Sequence, residues 1–144
     1  MIEGVIITPL KIIDVPGGDV FHAMKKSDLG FAGFGEAYFS TIESGVIKAW
    51  KRHQKMTLNL VVITGKIKFI ICDDRNGVDE NFQEIVLSRD NYFRLTVPPM
   101  LWMGFQGLAR EPSTLLNIAS IPHEAEESVK RDVDEIIFDW SSQL

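Results

Sequence analysis

Cysteine is almost missing from this chain. Cys72 is the single one in 144 residues, so no disulfide can form within the chain and no thiolate cluster is available for a metal. Its place at the end of the apolar run Ile70-Ile71-Cys72 marks it as a small core residue. Positive charge is in deficit too: 15 Lys and Arg against 20 Asp and Glu leave a formal charge of −5, the wrong balance for a general binder of nucleic-acid phosphates. Long apolar runs are absent, none approaching the about 20 residues that cross a bilayer. The start, Met1 to Leu10, has neither the basic nor the continuous apolar region of a signal peptide. These absences point to a cytoplasmic protein with no nucleic-acid or membrane partner. A chain of this length reads as one domain, residues 1–144, able to bury about two-thirds of the surface its unfolded form exposes.

What is present is a basic strip in an acidic protein. Between Glu43 and Asp73 lie Lys48, Lys51, Arg52, Lys55, Lys66 and Lys68 with no carboxylate, which suggests an anionic ligand. The strip falls in β-rich sequence. Val46 to His53 reads as a strand whose alternation sets Ala49, Lys51 and His53 on one face and Lys48, Trp50 and Arg52 on the other, unless a bulge intervenes. Leu58 to Ile63 and Lys66 to Cys72 flank Thr64-Gly65, a hairpin signal, and Asn76-Gly77 is the best type I′ pair. Phe21 to Leu29 reads as a short helix or an irregular segment. Pro98-Pro99 breaks a ladder because proline has no N–H to donate. Many short, evenly spaced strands suggest an all-β sandwich, jelly roll or barrel. Beyond Pro122 the chain turns acidic, with Ile136, Ile137, Phe138 and Trp140 near its end, and reads as a solvated segment whose last turn docks on the sheet.

Several pieces in order resemble the dTDP-4-dehydrorhamnose 3,5-epimerase (RmlC-like) family of sugar-nucleotide epimerases. They are Gly45-Val46-Ile47-Lys48, Val62-Ile63-Thr64-Gly65-Lys66-Ile67, Asp73-Asp74-Arg75, Val97-Pro98-Pro99, Gly104-Phe105, Leu116-Asn117-Ile118 and Asp134-Glu135-Ile136-Ile137-Phe138-Asp139-Trp140. The resemblance implies a cupin-type jelly roll, a homodimer, and epimerisation or isomerisation of a nucleotide-linked deoxysugar in surface polysaccharide or O-antigen synthesis. It implies no cofactor: a proton beside a ketone is removed and returned by a base, an acid and cationic groups that hold the pyrophosphate.

The family's arginine and histidine base fall on Lys48 and Lys51, its lysine on Leu58, its later histidine on Met103 and its tyrosine on Asn117. His53, on the same strand face, is therefore the second candidate base beside Lys51, and Tyr38 the candidate acid. Lys48, Arg52, Trp50, Trp102 and Asn117 are the candidate substrate contacts. The alternative is a catalytically silent cupin that binds a nucleotide sugar or a pathway partner. A metal cupin needs a histidine pair, a glutamate and a later histidine, and those places read Lys51, His53 and Met103, so no metal is expected.

Overall fold

The computed structural model describes residues 1–77 and 79–141. The strands are β1 Ile6–Pro9, β2 Ile12–Ile13, β3 Val20–Phe21, β4 Glu36–Ile42, β5 Ile47–His53, β6 Leu58–Thr64, β7 Lys66–Asp73, β8 Asn81–Ser88, β9 Phe93–Val97, β10 Trp102–Gly107, β11 Ser113–Ala119 and β12 Ser128–Lys130. One five-stranded sheet runs β1-β9-β6-β11-β4, a second β12-β5-β10-β7-β8, and β2 and β3 form a separate ribbon. All strand pairs are antiparallel and no helix occurs among the described residues, so the architecture is the all-β cupin jelly roll. Phe21 to Leu29 takes the irregular form of the two expected.

The turn at Thr64-Gly65 is not a hairpin. β6 belongs to the first sheet and β7 to the second, so the chain crosses between sheets at this point. Gly65 makes the corner possible: its φ of +82° suits glycine, and a Cβ there would lie 2.2 Å from the Ser113 Oγ. β7 and β8 do form a hairpin, but seven residues separate Asp73 from Asn81 and a two-residue Asn76-Gly77 turn is ruled out. Within that loop the Gly77 N–H donates to the Asp74 carbonyl at 3.1 Å.

Alternation along β7 shows where apolar burial occurs. Ile67, Phe69 and Ile71 face the first sheet and join the main core with Leu58, Leu60, Leu95 and Leu115. Ile70 and Cys72 point the other way, yet both are fully buried. The tail covers them: Trp50, Trp102, Ile136 and Trp140 complete a second cluster on the outer face. Lys68, on that outer face, donates from Nζ to the Trp140 carbonyl at 2.7 Å, and the Arg52 and Arg131 guanidinium carbons lie 4.7 and 4.4 Å from the Trp102 ring centre. The tail beyond Pro122 is exposed over residues 122–126 and 130–135 and docks its apolar end on the sheet, as expected, and the strand β12 is the addition. Its β12 pairs with β5, opposing Lys130 to Lys51 and Ser128 to His53.

Candidate functional site

A cavity of about 420 Å³ opens between the two sheets, at the end that the main core leaves unfilled. β5 brings the basic strip to it, and a bulge decides which residues arrive. β5 pairs Met103 with Lys51 and Phe105 with Lys48, so two residues of β5, Ala49 and Trp50, stand opposite Gly104 alone. The extra residue reverses the alternation. Lys48, Lys51 and His53 all line the cavity, and the expected separation of Lys48 onto the opposite face is corrected. Gly104 admits the bulge because a Cβ would sit 2.6 Å from the Ala49 Cβ and 3.0 Å from the Trp140 ring.

Arg52 and Trp102 lie on the other side of the second sheet. Neither lines the cavity, so neither is a contact to a ligand bound there. Trp102 is fully buried, its indole N–H donates to Asp74 Oδ2 at 3.1 Å, and Arg52 stands 3.9 Å from the other oxygen of that carboxylate. Trp50 borders the cavity at the bulge, but its ring is 5.4 Å from Trp140 and its N–H donates to the Val133 carbonyl.

From the first sheet, Tyr38 and Ser40 of β4 and Asn117 of β11 line the opposite wall. Asn117 and Tyr38 are cross-strand partners, and the Asn117 amide donates to the Ser40 hydroxyl at 3.0 Å and to the Tyr38 carbonyl at 3.3 Å. The floor is apolar, with Leu58, Leu101 and Met103 in it. Burial, then the charge of Glu36, holds the Tyr38 phenol above its ordinary pKa. Lys51 moves the other way: burial first, and the cation of Lys130 second, push its ammonium below the usual lysine range against an opposing pull from Glu127. Lys48, at the exposed rim, donates to the Thr41 carbonyl at 3.0 Å.

Two residues of the site come from the tail, where composition gave no indication of them. Glu127 is buried, and its Oε1 lies 2.5 Å from His53 Nδ1. Its Oε2 accepts the backbone N–H groups of Lys55 and Met56, each at 2.9 Å. Burial alone would raise the carboxyl pKa, but the His53 bond and the two N–H groups outweigh it and bring it down to about 2. An ionised carboxylate only accepts, so Nδ1 carries the hydrogen and Nε2 of a neutral His53 is left as the free base. Lys130 is the second tail residue in the wall. Glu124, Glu126 and Glu127 are alike in composition, and only the pairing of β12 with β5 singles out the last.

Among the described residues no group of three or more His, Cys, Asp or Glu could hold a metal ion. No family model matches the chain. A dTDP sugar isomerase from Desulfovibrio desulfuricans G20 is 34% identical, with a TM-score of 0.91 over 98% of this chain and 93% of that one. The chain belongs to the RmlC-like family of cupin-fold sugar-nucleotide epimerases and isomerases. A probable low-salt glycan biosynthesis epimerase of Haloferax volcanii is 29% identical over 115 residues, 75% of this chain and 74% of that protein. The dTDP-4-dehydrorhamnose 3,5-epimerase of Elizabethkingia anophelis NUHP1, at 14% identity, shares the RmlC-like fold with a TM-score of 0.79 over 98% of this chain and 83% of its own. Within that fold, this chain presents Lys51 and His53 on consecutive inward positions of β5 and an apolar floor of Leu58 and Met103.

Proposed function

We propose that this RmlC-like protein moves a proton on a carbon beside the keto group of a nucleotide-linked deoxysugar, with His53 as the base. The observation that carries the reading is the His53–Glu127 pair opening onto a cavity lined by Lys48, Lys51 and Lys130. Glu127 holds the imidazole in one tautomer and opposes the positive charge that His53 acquires when it takes the proton. Lys48 at the rim and Lys130 attract the pyrophosphate, which leaves Lys51, beside His53, for the sugar. Tyr38 and Asn117 position the substrate from the facing wall. Proton transfer of this kind needs no redox cofactor.

The pathway is glycan synthesis, and surface polysaccharide or O-antigen assembly in the cytoplasm is the setting consistent with the free, buried Cys72 thiol. The working unit is a homodimer. β4 is the outermost strand of its sheet and leaves Phe39 66% exposed, a poor surface for an isolated subunit.

The test is deuterium incorporation by NMR, with dTDP-4-keto-6-deoxyglucose and related keto sugars in heavy water. The wild-type protein should wash deuterium into a position next to the ketone, and His53→Ala should slow this by about 10²–10⁴-fold. Saturable binding of dTDP without exchange on any keto sugar would leave a silent nucleotide-sugar binder instead.

A further inference from the structure

The three lysines that line the cavity are not alike. Lys48 stands exposed at the rim and donates to the Thr41 carbonyl at 3.0 Å, and Lys130 is exposed on β12. Lys51 is half-buried and makes no hydrogen bond or ion pair among the described residues. Its cross-strand neighbours offer it no anion, since Lys130 opposes it on β12 and Met103 on β10. The floor of the same cavity is apolar, with Leu58, Leu101 and Met103 in it.

An amine without a counter-ion, partly withdrawn from water and set against a second cation, is a nucleophile in waiting rather than a fixed charge. We infer that Lys51 forms a covalent imine with the keto group of the substrate, and that this nitrogen takes up the electrons released when His53 removes the neighbouring proton. The inference rests on the reading of His53 as base and deepens it. Lys51 is one inward position from His53, about 7 Å along the strand, a spacing that lets one hold a carbonyl carbon while the other faces the adjacent C–H.

The surroundings favour a covalent sink over hydrogen bonds to an enolate. The donors that would steady an enolate oxygen are engaged: the Asn117 amide donates to the Ser40 hydroxyl and the Tyr38 carbonyl, and Lys48 to the Thr41 carbonyl. Burial, then Glu36, holds the Tyr38 phenol above its ordinary value and makes it a reluctant donor. Burial, then Lys130, pushes the Lys51 ammonium below the usual lysine range, against a pull from Glu127. The other groups around Lys51 are His53 and Lys48 on its own strand and Tyr38 from the far wall, while β10 meets it with the uncharged Met103.

The step balances without an outside reagent. The Lys51 ammonium gives up a proton, its lone pair adds to the carbonyl carbon, and the carbonyl oxygen leaves as water carrying that proton and one from the nitrogen. Ammonium and ketone thus become an iminium ion and water, with the positive charge retained. His53 Nε2 then takes the hydrogen of the adjacent carbon, the C–H electron pair forms a carbon–carbon double bond, and the iminium electrons settle on nitrogen as a neutral enamine. Return of the proton from the imidazolium restores the iminium, and water releases the ketone.

The test incubates the full chain with dTDP-4-keto-6-deoxyglucose and cyanoborohydride, which reduces an imine in preference to a ketone, and reads the intact mass. The wild-type chain should gain the mass of one sugar nucleotide less one oxygen atom. Peptide mapping should place the adduct on Lys51, and excess dTDP should prevent it. His53→Ala should still form the adduct while deuterium exchange beside the ketone falls. Lys51→Arg keeps the cation but not the nucleophile. It should still bind dTDP, which reports an intact fold, form no adduct, and lose deuterium exchange by about 100-fold or more. Exchange by the wild-type chain without an adduct, an adduct spread over Lys48 and Lys130, or wild-type exchange in Lys51→Arg would each overturn the inference and leave the His53 reading intact. An adduct on Lys51 with no exchange at any carbon would instead overturn the His53 reading while the covalent site stood.

Discussion

Replacing Glu127 by glutamine tests the site and the fold at once. The carboxylate anchors three donors, His53 Nδ1 and the N–H groups of Lys55 and Met56, from a side chain only 2% exposed. Its pKa is brought from 4.5 to about 2. At about 1.4 kcal/mol per pH unit, that difference makes ionised Glu127 worth on the order of 3 kcal/mol of stability. The sign follows from the depressed value. The contribution is fully present above about pH 4.5, where the unfolded carboxyl is also ionised, and is lost as pH falls through about 2.

Glutamine keeps the shape and one acceptor oxygen but turns an NH₂ toward groups that are themselves donors. Urea unfolding at pH 7 should therefore show Glu127→Gln less stable by about 2–3 kcal/mol, and at pH 3 the difference should shrink by about 2 kcal/mol, to about 0–1 kcal/mol. Equal deficits at the two pH values would refute the assignment of the effect to the carboxylate's charge.

Other outcomes follow from the same geometry. Arg52→Gln removes a cation stacked on Trp102 outside the cavity, so it should cost about 1 kcal/mol in urea unfolding, while calorimetry shows dTDP affinity unchanged within about two-fold. Gly104→Ala places a Cβ 2.6 Å from that of Ala49 and should destabilise by about 1–3 kcal/mol, with a larger loss of activity because the bulge aims Lys48 into the site. Burial, reinforced by Glu80, Asp74 and Asp73, raises the Cys72 thiol to about 12, so a thiol reagent at pH 8 should label the chain only in concentrated guanidinium chloride.

Much of the architecture was legible because β-strands have the simplest code. Alternation and turn residues located β5, β6 and β7 to within a residue, and the order of short motifs pointed to the family. The misreadings share one cause, which is that local pattern does not reveal partners. Thr64-Gly65 has hairpin chemistry, but a glycine corner between two strands serves a sheet crossing equally well. The β5 bulge depends on Gly104 of a different strand, so the face of Lys48 cannot be read from β5 alone. Arg52 belongs to the same basic strip as Lys51, and only the pleat separates them.

By itself, then, the order of residues determined an all-β fold, a basic β5 and the pairing of Lys51 with His53 on one strand face. Those features depend on period-two patterning and on charges close together in the chain, which adjacent residues specify among themselves. Tertiary structure alone decided that His53 has a carboxylate behind it and that Lys51 faces a second cation. Glu127 and Lys130 stand more than seventy residues from their partners, and they arrive only because the tail pairs with β5 while its apolar end seals the outer face over Ile70 and Cys72. Packing of that cluster, a long-range effect with no periodic signature, is what completes the candidate site.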